Sequence, residues 1–183
     1  MKKLFIVLGF FAFFSCGSGR IATTETKPTE TIVFGKLTIK SDTPIKNKYV
    51  WMHFNERLWG KNAAHLDENG YFYLKIPLGN NFLALVEYRD GNYYKNIADN
   101  YVSINVPSSD KIYYIGDIDL IWTPSKSDKR QNTGGVIVAL GEAKKKGERM
   151  EFVVNSSEKT IDYFKQLFPN NSKEIVTQLI RIE

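Results

Sequence analysis

Between residues 67 and 88 the chain alternates turn chemistry with short apolar runs, and few folds accommodate that spacing. Asp67, Glu68, Asn69 and Gly70 precede Tyr-Phe-Tyr-Leu-Lys-Ile at residues 71–76. Pro77, Leu78, Gly79, Asn80 and Asn81 precede Phe-Leu-Ala-Leu-Val-Glu-Tyr at residues 82–88. Runs this short are strands, since globular helices need a longer stretch to bury a face. Gly70 and Gly79 admit positive φ, and Asp and Asn side chains close turns onto nearby backbone. The pattern predicts a β-hairpin of residues 71–76 against 82–88.

The same pattern extends over residues 31–124. At residues 31–40, Val33, Leu37 and Ile39 fall opposite Phe34, Lys36, Thr38 and Lys40, which predicts a strand with one buried face. Residues 49–54 place Val50, Met52 and Phe54 against Tyr49, Trp51 and His53. Residues 55–66 and 90–100 are polar and turn-rich, and residues 101–106 alternate again. Residues 111–122 form one more strand, with a bulge or bend expected at Gly116. About seven short strands with no helical period between them predict a mainly β protein, an antiparallel β-sandwich. The absence of β-α-β alternation argues against a nucleotide-binding doubly wound sheet.

Residues 125–183 form an extension. Residues 125–133 are a charged linker. Residues 136–140 and 150–154 are expected to pair as a hairpin around the basic loop of Lys144, Lys145, Lys146 and Arg149. Asn155, with Glu158 three residues on, predicts a capped helix whose stripe is Ile161, Phe164, Leu167 and Phe168. Ser172 is placed to cap a last short helix, and residues 180–182 offer the alternative of a closing strand.

The N-terminus gives an address. Lys2 and Lys3 precede an apolar run, residues 4–14, of secretory length and too short to span a membrane. Cys16, the only cysteine, follows Ser15, which excludes an internal disulfide. The segment resembles a bacterial lipoprotein signal peptide, with Phe13, Phe14, Ser15 and Cys16 as its lipobox. The resemblance implies cleavage after residue 15 and lipid on Cys16. It also implies anchorage in the cell envelope, on the outer membrane by expectation. Residues 16–30, rich in Gly, Ser, Thr and Glu, are then a flexible tether.

A second resemblance covers residues 31–122. Phe34, Gly35, Lys36 and Leu37, then Thr43 to Asn47 and Val50, are similar to the opening of carboxypeptidase-regulatory-like, transthyretin-like sandwiches. The run from Asp67 to Phe72 followed by Pro77, Leu78 and Gly79 resembles that family's second half. Members serve as appendages, adhesion or ligand-binding modules, or assembly parts. One branch hydrolyses hydroxyisourate and ends in Tyr-Arg-Gly-Ser. This chain ends Leu179-Ile180-Arg181-Ile182-Glu183, so that activity does not carry over.

The residues themselves name few sites. Net charge is +5, and discounting the two leader lysines leaves +3, too mild for a nucleic-acid surface. His53 is read as a structural histidine and His65 as a loop residue near Asp67 and Glu68. The run Asp67 to Gly70 lacks the later carboxylate of a calcium loop, since that place falls on Leu78. No nucleophile elbow or phosphate loop is present. No catalytic residue, metal site or cofactor is assigned. Trp51, Trp59, Tyr93 and Tyr94 are the aromatic candidates. Trp59, Tyr93 and Tyr94, expected in loops, are the ligand-binding candidates. The expectation is a non-enzymatic envelope lipoprotein, a binding or assembly module for an envelope protein or glycan, with no nucleic-acid partner. The alternatives are a carbohydrate-binding module using those aromatics, and a small envelope hydrolase. The hydrolase would need His65, Asp67 and Glu68 to meet in one pocket.

Overall fold

The computed structural model describes residues 23–57, 61–130, 141 and 144–183. The leader, Cys16, Trp59 and the strand expected at residues 136–140 lie outside them. Among the described residues no helix is long and apolar enough to cross a membrane.

Two sheets face each other. The first contains β1 (Glu30–Lys40), β4 (Tyr71–Pro77), β8 (Lys111–Ile121), β9 (Glu151–Asn155) and β10 (Glu174–Thr177), in the order β10-β8-β1-β4 with β9 also on β8. The second contains β2 (Val50–Phe54), β3 (Ala63–His65), β5 (Gly79–Tyr88), β6 (Tyr93–Asn96), β7 (Val102–Val106) and β11 (Arg181–Ile182), in the order β11-β7-β5-β2-β3 with β6 on β5. The predicted sandwich is therefore present. The second sheet is antiparallel throughout, whereas the first is mixed, because β1 and β10 both run parallel to β8. Val33, Leu37, Met52, Phe72, Val86 and Ile118 lie in the fully buried core between them.

Each sheet is built on one long strand with a bulge. On β8 the register slips between Phe34 and Lys36 of its partner, so Ile115 and Gly116 oppose Gly35. Tyr113 and Ile115 point inward before the slip, and Ile118 and Leu120 after it. Gly116 holds φ +113°, and the carbonyl oxygen of Gly116 would lie 2.3 Å from a Cβ on Gly35, so glycine is needed at both. On β5 the register slips between His53 and Phe54 of β2, leaving Ala84 unpaired there. At each bulge the edge partner changes: β10 gives way to β9 along β8, and β7 to β6 along β5.

The expected hairpin is not formed. β4 pairs with β1 in the first sheet, and β5 pairs with β2 in the second, so residues 77–79 carry the chain between sheets. Gly79 sits at φ +94°, and Asn81 Nδ2 donates to the carbonyls of Pro77 and Gly79, both at 2.9 Å. Asn55 Nδ2 in turn donates to Asn81 Oδ1 at 2.6 Å. These bonds fix a corner, and the turn residues serve it as well as they would a hairpin.

The extension departs from expectation at its helix cap and in its last segment. Residues 151–155 pair with β8, completing the first sheet, and their predicted partner lies outside the described residues. Helix α1 (Glu158–Leu167) has Ser157 rather than Asn155 at its N-cap position, and the Ser157 side chain makes no capping bond. Asn155 is held in the ladder opposite Asp117, and Ser157 N donates to Tyr114 Oη at 2.9 Å. The last segment is strand, not helix. Glu174 to Thr177 add to the open edge of β8, and Arg181 and Ile182 pair with β7, the closing-strand alternative. Helix α1 lies on the outer face of the first sheet. Ile161 and Phe164 pack there on Ile32, Phe34, Ile112 and Tyr114, with Phe34 and Phe164 stacked 4.1 Å apart.

Candidate functional site

The bulge at Ala84 decides what faces outward from the second sheet. Strict alternation from Leu83 would carry Leu85 and Glu87 into the core. The extra residue instead turns Val86 and Tyr88 inward and Glu87 outward, opposite Trp51 on β2 and Tyr94 on β6. His53 lies two pairs further along, on the same face and opposite Leu85.

These residues form a buried polar network on an outer face. Glu87 is 5% exposed and His53 7%. His53 Nε2 lies 3.0 Å from Glu87 Oε2, Arg89 Nε donates to Oε1 at 2.8 Å, and Tyr94 Oη donates to Oε1 at 2.9 Å. Burial raises the Glu87 pKa, but the hydrogen bonds from His53 and Arg89, with their charge, outweigh it. They hold the carboxyl at about 2 against a usual 4.5. A carboxylate in that state only accepts, so the His53 proton facing it is on Nε2, and among the described residues His53 Nδ1 has no hydrogen-bond partner. Burial and the Glu87 charge push the Tyr94 hydroxyl above its usual range, which keeps it a donor.

Aromatic rings border the network, and their faces are engaged from within the protein. Trp51 stacks on His65 at 4.6 Å and carries the Arg89 guanidinium 4.1 Å from its ring centroid. Tyr94 carries Arg130 at 4.9 Å. Tyr93, on the core side of β6, stacks on Tyr88 at 6.2 Å and carries Lys129 at 5.3 Å. Tyr93 and Tyr94 thus sit in a strand rather than the expected loop.

An open cleft runs along the edge of β6. Two segments clamp that edge. Arg130 N donates to Asn92 O at 3.1 Å on one side, and Ala98 N donates to Glu148 O at 2.9 Å on the other. Gly147 makes the second clamp possible, because a Cβ there would lie 2.1 Å from the Ile97 carbonyl oxygen. Between the clamps Tyr94 and Asn96 form the floor, with Lys129, Arg130, Lys145 and Lys146 along the walls. The wall carboxylates, Asp128 and Glu148, are committed to Lys95 at 2.7 and 3.2 Å. Arg57 is a clip: it donates to the carbonyls of Ala84, Ile97 and Lys145 and to Asp99. The charge left in the cleft is positive.

Three sequence candidates make separate contacts. Asp67 Oδ1 closes its turn onto Asn69 N and Tyr71 N at 2.8 and 2.9 Å, and Oδ2 accepts from Tyr163 Oη at 2.7 Å. That bond and burial push the Tyr163 hydroxyl up to about 12. His65 Nε2 lies 2.6 Å from the Lys48 carbonyl, and Glu68 contributes its backbone oxygen to Asn47. His65 and Asp67 are thus engaged by different groups, the Lys48 carbonyl and the Tyr163 hydroxyl, rather than by each other. Among the described residues no group of three His, Cys, Asp or Glu is placed to hold a metal ion. Sequence reasoning reached Tyr94 and missed Glu87, Arg89 and Lys129. The one signal for Glu87 was a lone carboxylate inside an otherwise apolar strand.

Comparison with known proteins gives no family. No family model matches the chain, and no curated protein matches it. One solved structure, a DUF3823 family protein from Parabacteroides merdae ATCC 43184, is similar at 16% identity with a TM-score of 0.26. The match spans 54% of this chain and 47% of that one.

Proposed function

We propose that this chain is a lipid-anchored envelope protein whose transthyretin-like sandwich works as a non-enzymatic binding module. The outer face of the second sheet, with the β6 cleft, is the surface it presents to a partner. The observation that carries the reading is the Glu87–His53 pair, buried on a face where apolar residues would pack more simply. Buried ion pairs are weak contributors to stability, because desolvation offsets their attraction. A network of that kind is better understood as holding Arg89 and Tyr94 in fixed positions for recognition.

The chemistry favours binding over catalysis. Glu87 is ionised far below neutral pH, so it has no proton to donate as a general acid. Its oxygens already accept from His53, Arg89 and Tyr94. Recognition by charge is also favoured over stacking on a sugar, because Trp51, Tyr93 and Tyr94 already carry cationic side chains. Lipid on Cys16, which adds about 0.8 kcal/mol per buried methylene, would hold the module at a membrane.

The test is fractionation and co-purification of the full chain from native membranes. The reading expects a membrane-bound protein that becomes soluble on Cys16→Ser, and a stoichiometric envelope partner that is lost on Glu87→Leu. A protein that stays membrane-bound at unchanged size after Cys16→Ser contradicts the anchor. A partner retained after Glu87→Leu contradicts the assigned face.

A further inference from the structure

The β6 cleft points to a particular ligand chemistry, and the inference rests on the binding-module reading. We propose that the cleft is an anion site that takes a phosphoryl or carboxylate group. Lys129 and Lys146 supply the charge, and Asn96 and Tyr94 form the polar floor.

Three observations converge. The two wall carboxylates share the one ammonium of Lys95, Asp128 at 2.7 Å and Glu148 at 3.2 Å, so the trio leaves a single negative charge against Lys129, Arg130, Lys145 and Lys146. Lys129 and Lys146 form no ion pair among the described residues; Lys129 has only the ring of Tyr93, 5.3 Å away. The backbone holds both walls at fixed positions, through Arg130 N to Asn92 O, Glu148 N to Asn96 O at 2.9 Å, and the close approach of Gly147 to Ile97. The backbone carrying these cations is held in place, so an anion entering here has only their side chains to order. The flanking Tyr94 hydroxyl spends its one proton on Glu87 Oε1, so the tyrosine contributes its ring, which carries Arg130 at 4.9 Å, and the lysines meet the anion. A cationic ligand would face the same lysines.

The ligand group has two sources, a lipid headgroup or a free anion, and the experiment separates them. The full chain in neutral detergent is titrated with inorganic pyrophosphate by calorimetry. It is also mixed with vesicles of phosphatidylcholine alone or with phosphatidylglycerol added. Pyrophosphate binding, or a preference for the phosphatidylglycerol vesicles, supports the site. The first identifies a free anion and the second a headgroup. The double variant Lys129→Glu, Lys146→Glu lowers that affinity about ten-fold or more. Lys159→Glu with Lys165→Glu, on helix α1, reverses equal charge at the other face and leaves it unchanged. Equal losses in the two variants, or no response to either probe, overturn the proposal. The module reading is judged by membrane release and partner co-purification. A chain that keeps its partner yet ignores both probes defeats the anion site alone. One that binds pyrophosphate with neither anchor nor partner defeats the module alone.

Discussion

The two outer faces of this sandwich are covered in opposite ways. On the first sheet, helix α1 lays Ile161 and Phe164 over Phe34 and Tyr114, and the contact is apolar and aromatic. On the second sheet the comparable area holds Glu87, His53, Arg89 and Tyr94 in a hydrogen-bonded network beside an open cationic cleft. Apolar burial contributes about 25 cal/mol per Å² with few geometric demands. A buried carboxylate must be matched donor by donor, and its net contribution is small. The helix-covered face gains its stability from apolar burial, and on the proposed reading the other gives that up for a defined surface.

The largest expected effect lies under the helix. Phe164→Ala should lower unfolding free energy by about 4 kcal/mol in denaturant titration, because its ring is buried and the site cannot fully collapse. A loss below about 1 kcal/mol would show that the helix is not a structural cover. Next, Glu87→Ala should cost about 3 kcal/mol, since it leaves the buried His53 Nε2 without its acceptor. Glu87→Leu combined with His53→Leu should restore most of that stability while abolishing binding. Stability that stays low would erase the contrast between the faces.

Acid sharpens the same point. The Glu87 pKa is lowered in the folded state, so its stabilisation is present above the ordinary value of 4.5 and is lost as pH falls toward about 2. The acid limb of a thermal-stability profile should therefore be shallower for Glu87→Leu, His53→Leu than for the parent. Gly147→Ala should cost about 2 kcal/mol, because its Cβ meets backbone, and should weaken binding more than it weakens the fold. The smallest change is Tyr163→Phe, about 1 kcal/mol from one hydrogen bond to Asp67, with binding unaffected.

Much of the fold could be read from the chain, because its turns and alternation are local. Strand positions and the bulge at Gly116 follow from glycine and period-two patterning. Strand partners do not. Residues 77–79 have turn chemistry that suits a hairpin and a sheet-to-sheet corner alike, and only Asn55 and Asn81, distant in sequence, choose the corner. The site was less legible. Ala84 gives no local sign of a bulge, so nothing in the run from Leu83 to Tyr88 announces that Glu87 faces outward. Tyr94 was visible as an aromatic, while its role depends on Glu87, inside the apolar run 82–88, and on Arg130 in the charged linker, and the sequence does not say that these three meet.

The central claim, that the second sheet's outer face is the one presented to a partner, is tested most directly by lysine footprinting. The full chain is labelled with an acetylating reagent in native membranes and again after purification in detergent, and modification is read residue by residue. The account predicts that Lys129 and Lys146 are protected in the membrane and become reactive on purification, while Lys159 and Lys165 on helix α1 react equally in both. Protection of the helix lysines with unchanged cleft lysines would contradict it.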